Sequence, residues 1–189
     1  MSVKENKNEI RRSISLLKKQ YSADWRSRTS LKILERLEEN DLFPDAKTIL
    51  IYHALGDEVQ TLPFIEKWHR AKRIILPVVE GEYLLLREYA PENMQTGSYS
   101  IQEPATGNNV HPSEIDLAVI PGVAFDRHCN RLGRGKGYYD RLLPQLNAPT
   151  IGIAFSFQIC ESVPTEPFDQ PIDLVITETQ LIQKQQHKD

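Results

Sequence analysis

The sequence predicts a single α/β domain with three α/β/α layers around a mixed, mostly parallel sheet. Three observations carry that expectation. Apolar runs near residues 49–52, 74–79, 115–120, 150–155 and 172–176 are continuous rather than alternating, as in strands buried on both faces. Segments with the apolar spacing of helices precede and separate the first of these runs. The chain has 189 residues, enough for one compact core and too few for two domains of ordinary size.

The elements follow in order. Ile10, Ile14 and Leu17 recur at helical spacing among lysines and arginines, which predicts an amphipathic helix with one buried stripe and a wet basic face. Ser22 suits the cap of a second helix, with Leu31, Leu34 and Leu37 along one side, so that two helices fill residues 4–40. An α/β core is expected over 47–178. It opens with a strand at 49–52, a helix with Leu62, Ile65 and Trp68 on one face, and a strand at 74–79, which together make a β-α-β unit. Glu80-Gly81 is a turn signal, and the apolar run that follows it predicts an antiparallel partner over 82–89. Residues 90–112 are rich in Pro, Gly, Asn, Ser and Thr without periodicity and read as a long loop, of the kind that often serves as a lid. The polar tail at 180–189 has nothing to bury and is expected to fray.

Composition excludes several function classes. A net charge of −3 with mixed signs gives no field to hold nucleic acid or an anionic membrane, so any anion must be bound locally. No apolar run approaches the roughly 20 residues that span a bilayer, and the polar first twelve residues do not resemble a signal peptide. The cytoplasm is the expected compartment, with Cys129 and Cys160 as free thiols. His128 lies beside Cys129, but no second Cys or His stands at a ligand spacing that would make a metal site. A monomer is expected, because no strongly apolar exposed stripe is legible.

The informative segment follows the run at 115–120. It reads Pro121, Gly122, Val123, Ala124, Phe125, Asp126, and then Arg131-Leu132-Gly133-Arg134-Gly135-Lys136-Gly137-Tyr138-Tyr139-Asp140. Three alternate glycines let the backbone take unusual dihedrals and aim successive N–H groups at one anion. Arg131, Arg134 and Lys136 add charged donors suited to a triphosphate. It is not a Walker A loop, because Gly137 rather than a hydroxyl residue follows Lys136, and Gly133 stands too far beyond Ile120 for a Rossmann elbow. By composition alone it is equally compatible with a phosphate cradle, a flexible surface loop or an RNA-contacting segment. Asp140 falls in the first turn of a helix expected from about Gly137 to Pro144, where a carboxylate suits Mg²⁺ beside phosphate and also suits the helix dipole.

Pro121-Gly122, Phe125-Asp126 and the run from Arg131 to Asp140 resemble the signature of the 5-formyltetrahydrofolate cyclo-ligases. The likeness continues in Lys7 and Arg11, similar to the family's N-terminal Lys-x-x-x-Arg, and in Ala154-Phe155, Gln158-Ile159-Cys160 and Val163-Pro164. The resemblance implies the fold shared with sugar-phosphate isomerases and CoA transferases. It also implies a small-molecule substrate, 5-formyltetrahydrofolate, closed to 5,10-methenyltetrahydrofolate at the expense of ATP with Mg²⁺. By the same resemblance Lys7, Asn8, Glu9, Ile10 and Arg11, with Arg131, Leu132, Gly133, Arg134, Gly135, Lys136, Gly137, Tyr138 and Tyr139, would bind ATP. Leu55, Gln60, Tyr99 and residues Gly133 to Tyr138 would bind the folate, and Arg134, Lys136 and Tyr138 would serve catalysis. Asp140 and Asp173 would hold Mg²⁺.

The chain departs from the family in places. Leu55 and Gln60 stand where some relatives carry Met and an acid; Leu keeps an apolar wall, and Gln keeps hydrogen bonding while losing the charge. Cys129 stands where relatives usually have Gly, so the turn there is expected to be less tolerant of positive φ. Two other classes remain for test: the isomerases and transferases of the resembling fold, which need no ATP, and a nucleic-acid module built on Arg127, Arg131, Arg134 and Lys136.

Overall fold

The computed structural model describes residues 2–97 and 101–184. Helix α1 (Val3–Lys18) starts at a reciprocal cap, in which the Ser2 hydroxyl accepts from the Glu5 N–H and the Glu5 carboxylate accepts from the Ser2 N–H. Ile14 is buried, with Ile10 and Leu17 packed beside it. The basic face is not uniformly wet: Lys7 and Lys18 are each only 7% exposed, because carboxylates from distant segments meet their ammonium groups. Helix α2 (Ala23–Glu38) is capped by Ser22, whose hydroxyl accepts from the Trp25 N–H. It buries Leu34 and Leu37 together with Ile33, whereas Leu31 points outward and is exposed.

Among the described residues the main sheet has seven strands, from edge to edge β11 (Leu181–Gln183), β10 (Leu174–Ile176), β9 (Thr150–Ile153), β6 (Leu117–Ile120), β1 (Thr48–Leu50), β2 (Arg73–Glu80) and β3 (Tyr83–Glu88). Strands β1, β2, β6, β9 and β10 are parallel. Helix α3 (Leu62–Trp68) makes the crossover from β1 to β2, and β3 returns antiparallel after the Gly81 turn. The continuous apolar runs sort by the period of two. Ile49, Ile74, Leu117 and Val119 face α2 and α3, while Leu50, Ile75, Ala118 and Ile120 face Phe125 and the helix α4 (Tyr138–Leu142). Helices therefore cover both faces, which is why neither face needed polar alternation.

Two expectations fail. The segment 90–112 is not structureless: a 3₁₀ turn at Pro91–Asn93 leads into a hairpin of β4 (Met94–Thr96) and β5 (Gln102–Pro104). Its strands are three residues each, too short to display a period. The tail also contributes an edge strand, β11 (Leu181–Gln183), antiparallel to β10, with Ile182 buried. Pairing along an open sheet edge, rather than apolar content, holds it.

Cys129 corrects a third expectation. It adopts φ +61 although it is not glycine. The buried Asp126 carboxylate fixes this turn by accepting from the N–H groups of His128, Asn130 and Val163 and from the Asn130 amide. The left-handed conformation costs a side-chain-bearing residue about 1–2 kcal/mol. Against that stands the fully buried thiol, which packs among Ile172, Val175 and Ile182, and glycine's larger entropy loss of about 0.5–1 kcal/mol. Burial of the thiol and the entropy term outweigh the strain, so Cys129→Gly is expected to lower stability by about 1 kcal/mol in urea unfolding. A gain in stability would mean that strain dominates.

Candidate active site

The strand order places one crevice. β1 lies between β2 and β6, so the chain leaves its carboxyl end in one direction and the chain from β6 leaves in the other, opening a space above the sheet. A cavity of about 380 Å³ occupies it. Its apolar wall includes Leu55, Pro77, Val79, Leu84 and Ile101, and its opposite wall is the glycine loop from Gly133 to Gly137, including Arg134 and Lys136. Strands β7 (Ala124–Phe125) and β8 (Arg131–Leu132) pair to bring that loop back over the end of β6.

The three glycines serve two purposes. Gly135 and Gly137 have φ +99 and +70, in the region that L side chains avoid, whereas Gly133 admits a close approach: a Cβ there would lie 2.9 Å from the Arg131 guanidinium. Arg131 is buried, and its Nη2 donates to Asp140 Oδ1 at 2.5 Å while Nη1 donates to the Pro121 carbonyl at 3.3 Å. It ties the end of β6 to the start of α4. Arg134 is held by Asp57 and Glu58, each at 2.8 Å. Burial works against its charge, but those carboxylates prevail and raise its pKa. Lys136 is exposed and has no ion pair or hydrogen bond from its ammonium among the described residues. Its carbonyl is pinned by Arg141, which also donates to the Glu82 carbonyl. The Tyr138 hydroxyl donates to the Gly81 carbonyl at 3.3 Å, and Tyr139 is half-buried, its ring beside the Arg131 guanidinium.

The N-terminal residues divide. Arg11 Nε donates to the Gly133 carbonyl at 2.9 Å and Nη1 to Asn8 Oδ1 at 2.8 Å, so α1 buttresses the glycine loop from behind. Arg11 also lines a smaller cavity of about 180 Å³ with Lys18, Asp57 and Arg134. Lys7 goes elsewhere: it pairs with Glu166 and Asp169, and those carboxylates raise its pKa against the opposing effect of burial. Glu9 is exposed, and Ile10 packs against the small core beneath α1.

A family model described as the 5-formyltetrahydrofolate cyclo-ligase family matches residues 3–178. The chain belongs to that family. A protein named 5-formyltetrahydrofolate cyclo-ligase in Haemophilus influenzae is 32% identical over 174 residues, covering 87% of this chain and 89% of that one. The mouse protein of the same name is 28% identical and covers 94% and 96% of the two chains. Among solved structures, the 5,10-methenyltetrahydrofolate synthetase of Aquifex aeolicus superposes with a TM-score of 0.88 at 34% identity, over 97% of this chain and 95% of that one. The Mycoplasma pneumoniae synthetase gives 0.75 at 31%, over 91% and 98%. The protein is thus an enzyme of the cyclo-ligase class. No helix among the described residues is long and apolar enough to cross a membrane.

Of the residues expected at a cyclo-ligase site, the cavity gathers Leu55, Arg131 and Gly133 to Asp140, beside residues after β1 and β6, and it leaves out others. The Gln60 amide donates to the carbonyls of Leu55 and Glu58, closing its own loop, and the residue does not line the cavity. Tyr99 lies outside the described residues. Asp173 sits at the amino ends of the strands, where its carboxylate accepts from the N–H and hydroxyl of Thr150, the first residue of β9. It is therefore across the sheet from Asp140, and the two carboxylates do not meet.

Three residues that line the cavity are not among those expected from the sequence. Glu58 accepts from Arg134 and from the Leu55 N–H; a pair of acids, Asp57-Glu58, just beyond an apolar strand was the available signal. His53 is held towards its neutral form by burial, and Glu103 is buried at the cavity edge. Neither residue stands in a local pattern that distinguishes it from an ordinary loop residue.

Proposed function

We propose that this enzyme uses ATP and Mg²⁺ to close 5-formyltetrahydrofolate into 5,10-methenyltetrahydrofolate, releasing ADP and phosphate. The observation that carries the proposal is Lys136, an ammonium without a partner among the described residues, on a left-handed glycine loop that lines a cavity whose other wall is apolar. A flat heterocycle suits the apolar wall and a phosphoryl group suits the loop. The names borne by the relatives support the same substrate and product.

For the metal, Asp140 fits and Asp173 does not. Asp140 lines the cavity with Oδ1 committed to Arg131, while Oδ2 has no hydrogen-bond partner among the described residues. One carboxylate oxygen completed by phosphate and water is how Mg²⁺ is ordinarily held beside a nucleotide. When bound, the ion would neutralise charge on the transferring phosphoryl group.

In the proposed reaction the formyl oxygen attacks the γ-phosphorus, the bond to the bridging oxygen breaks, and ADP departs. N10 then bonds to the activated formyl carbon, the C–O bond breaks with loss of phosphate, and N10 gives up its proton. The chain's part is placement and charge. Lys136 contacts the phosphoryl oxygens, Arg131 holds Asp140 in position, and Arg11 fixes the loop through the Gly133 carbonyl. Arg134 is shared between Asp57 and Glu58 and must release one of them to reach phosphate, so it contributes less than Lys136. No protein nucleophile is required, and burial pushes the Cys129 thiol up to about 11, which keeps it protonated. We place the enzyme in the cytoplasm, where Cys129 and Cys160 remain reduced, and treat it as a monomer.

The test is the absorbance of the methenyl product after mixing the protein with 5-formyltetrahydrofolate. Product that forms with MgATP and not without it is expected. A folded protein that forms none, or that needs no ATP, overturns the proposal.

A further inference from the structure

We infer that Glu103 recognises the donor edge of the substrate's pterin ring, its carboxylate accepting from the 2-amino group and the neighbouring N3–H. This rests on the cyclisation activity proposed above. Glu103 lies on β5, lines the cavity and is only 7% exposed. Its carboxylate has no ion pair and no hydrogen bond among the described residues. The cavity's other carboxylates are committed: Glu58 to Arg134, and Asp140 to Arg131. The Glu103 oxygens open to the cavity rather than being sealed in the core, so a ligand that fills the cavity and displaces its water must bring donors to them or leave a charge unpaired.

The surroundings agree with that purpose. Gly97, diagonally across the hairpin, leaves room for the group, since a Cβ there would meet the Glu103 carboxyl carbon. Ile101, two residues before Glu103 on the same chain, joins Pro77, Val79 and Leu84 in the cavity wall, giving apolar surface for a ring whose edge meets the carboxylate. Gln60 cannot supply the acceptor, because its side chain is turned into its own loop. The cations belong to the glycine loop and suit phosphate, whereas Glu103 comes from the hairpin. A reduced pterin presents two adjacent N–H donors, a match for the two oxygens of a carboxylate.

The experiment compares wild type with Glu103→Gln, using 5-formyltetrahydrofolate and its 2-desamino analogue. For the variant, KM for the folate should rise roughly 30-fold while KM for ATP stays within about twofold and thermal unfolding is unchanged. Wild type should discriminate against the analogue by roughly 30-fold, and the variant by less than about threefold. Unchanged folate KM, or discrimination retained in the variant, overturns the assignment. Calorimetric binding of both folates without ATP gives the same comparison independently of turnover, so a wild type that binds but does not cyclise sinks the proposed reaction and still decides Glu103. Should Glu103→Gln not fold, Glu103→Asp, with the charge retained and the reach shortened, is expected to lose most of the discrimination.

Discussion

Replacing Lys136 with alanine is expected to lower MgATP-dependent turnover about 100- to 1000-fold, the usual cost of deleting one preorganised donor to a transferring group. Thermal unfolding should not move. Lys136 is exposed and its ammonium has no partner among the described residues, so nothing in the fold is left unsatisfied when it goes. The loop itself is held by other groups: Arg141 on the Lys136 carbonyl, Arg11 on the Gly133 carbonyl, and the glycine dihedrals. Arg134→Ala should behave differently. It removes a cation already shared between two carboxylates, of which Asp57 keeps Lys18 and Glu58 keeps the Leu55 N–H, so its activity loss is smaller and accompanied by a modest loss of stability. Lys136→Arg should restore part of the rate, since charge matters more than shape at an exposed contact to phosphate. Turnover of Lys136→Ala within about threefold of wild type would move the phosphates elsewhere, with the smaller cavity beside Arg11 as the next candidate.

The contrast between Lys136 and its neighbours marks how far the sequence was legible. The parallel strands were readable because burial on both faces forces continuous apolar runs, and the glycine loop because positive φ at Gly135 and Gly137 admits few other residues. Which cation of the loop lacks a partner among the described residues was not readable. Arg131, Arg134 and Lys136 look alike in the sequence, and only tertiary contacts commit the first to Asp140 and the second to Asp57 and Glu58. The partners of Lys7 were illegible for the same reason, since Glu166 and Asp169 lie far along the chain. Asp173 shows the limit of transferring a role by motif: its backbone position at the amino edge of β10 directs it to Thr150 and away from the cavity. The β4–β5 hairpin and β11 were missed because three-residue strands carry no period, and Glu103 was hidden with them.

Asp140 is expected to separate stability from activity. Asp140→Ala removes the acceptor from a buried guanidinium whose Nε already has no partner among the described residues, and breaking such a buried pair costs about 3–5 kcal/mol. For a domain of this size that lowers the melting temperature by roughly 10 °C. Asp140→Asn keeps an oxygen where Oδ1 accepts from Arg131, so only the charged part of that bond is lost, about 1–2 kcal/mol. If the pairing with Arg131 were the whole role of Asp140, activity of the folded protein would follow the same order, with the asparagine variant close to wild type. If Oδ2 also holds Mg²⁺, an amide is nearly as poor a ligand as alanine's methyl, and both variants lose turnover together. The asparagine variant should then need at least tenfold more Mg²⁺ for half-maximal rate, measured by titration at saturating ATP and folate. An asparagine variant with normal turnover and an unchanged Mg²⁺ requirement would reduce Asp140 to a post for Arg131, and the metal would have to be held by the nucleotide and water alone.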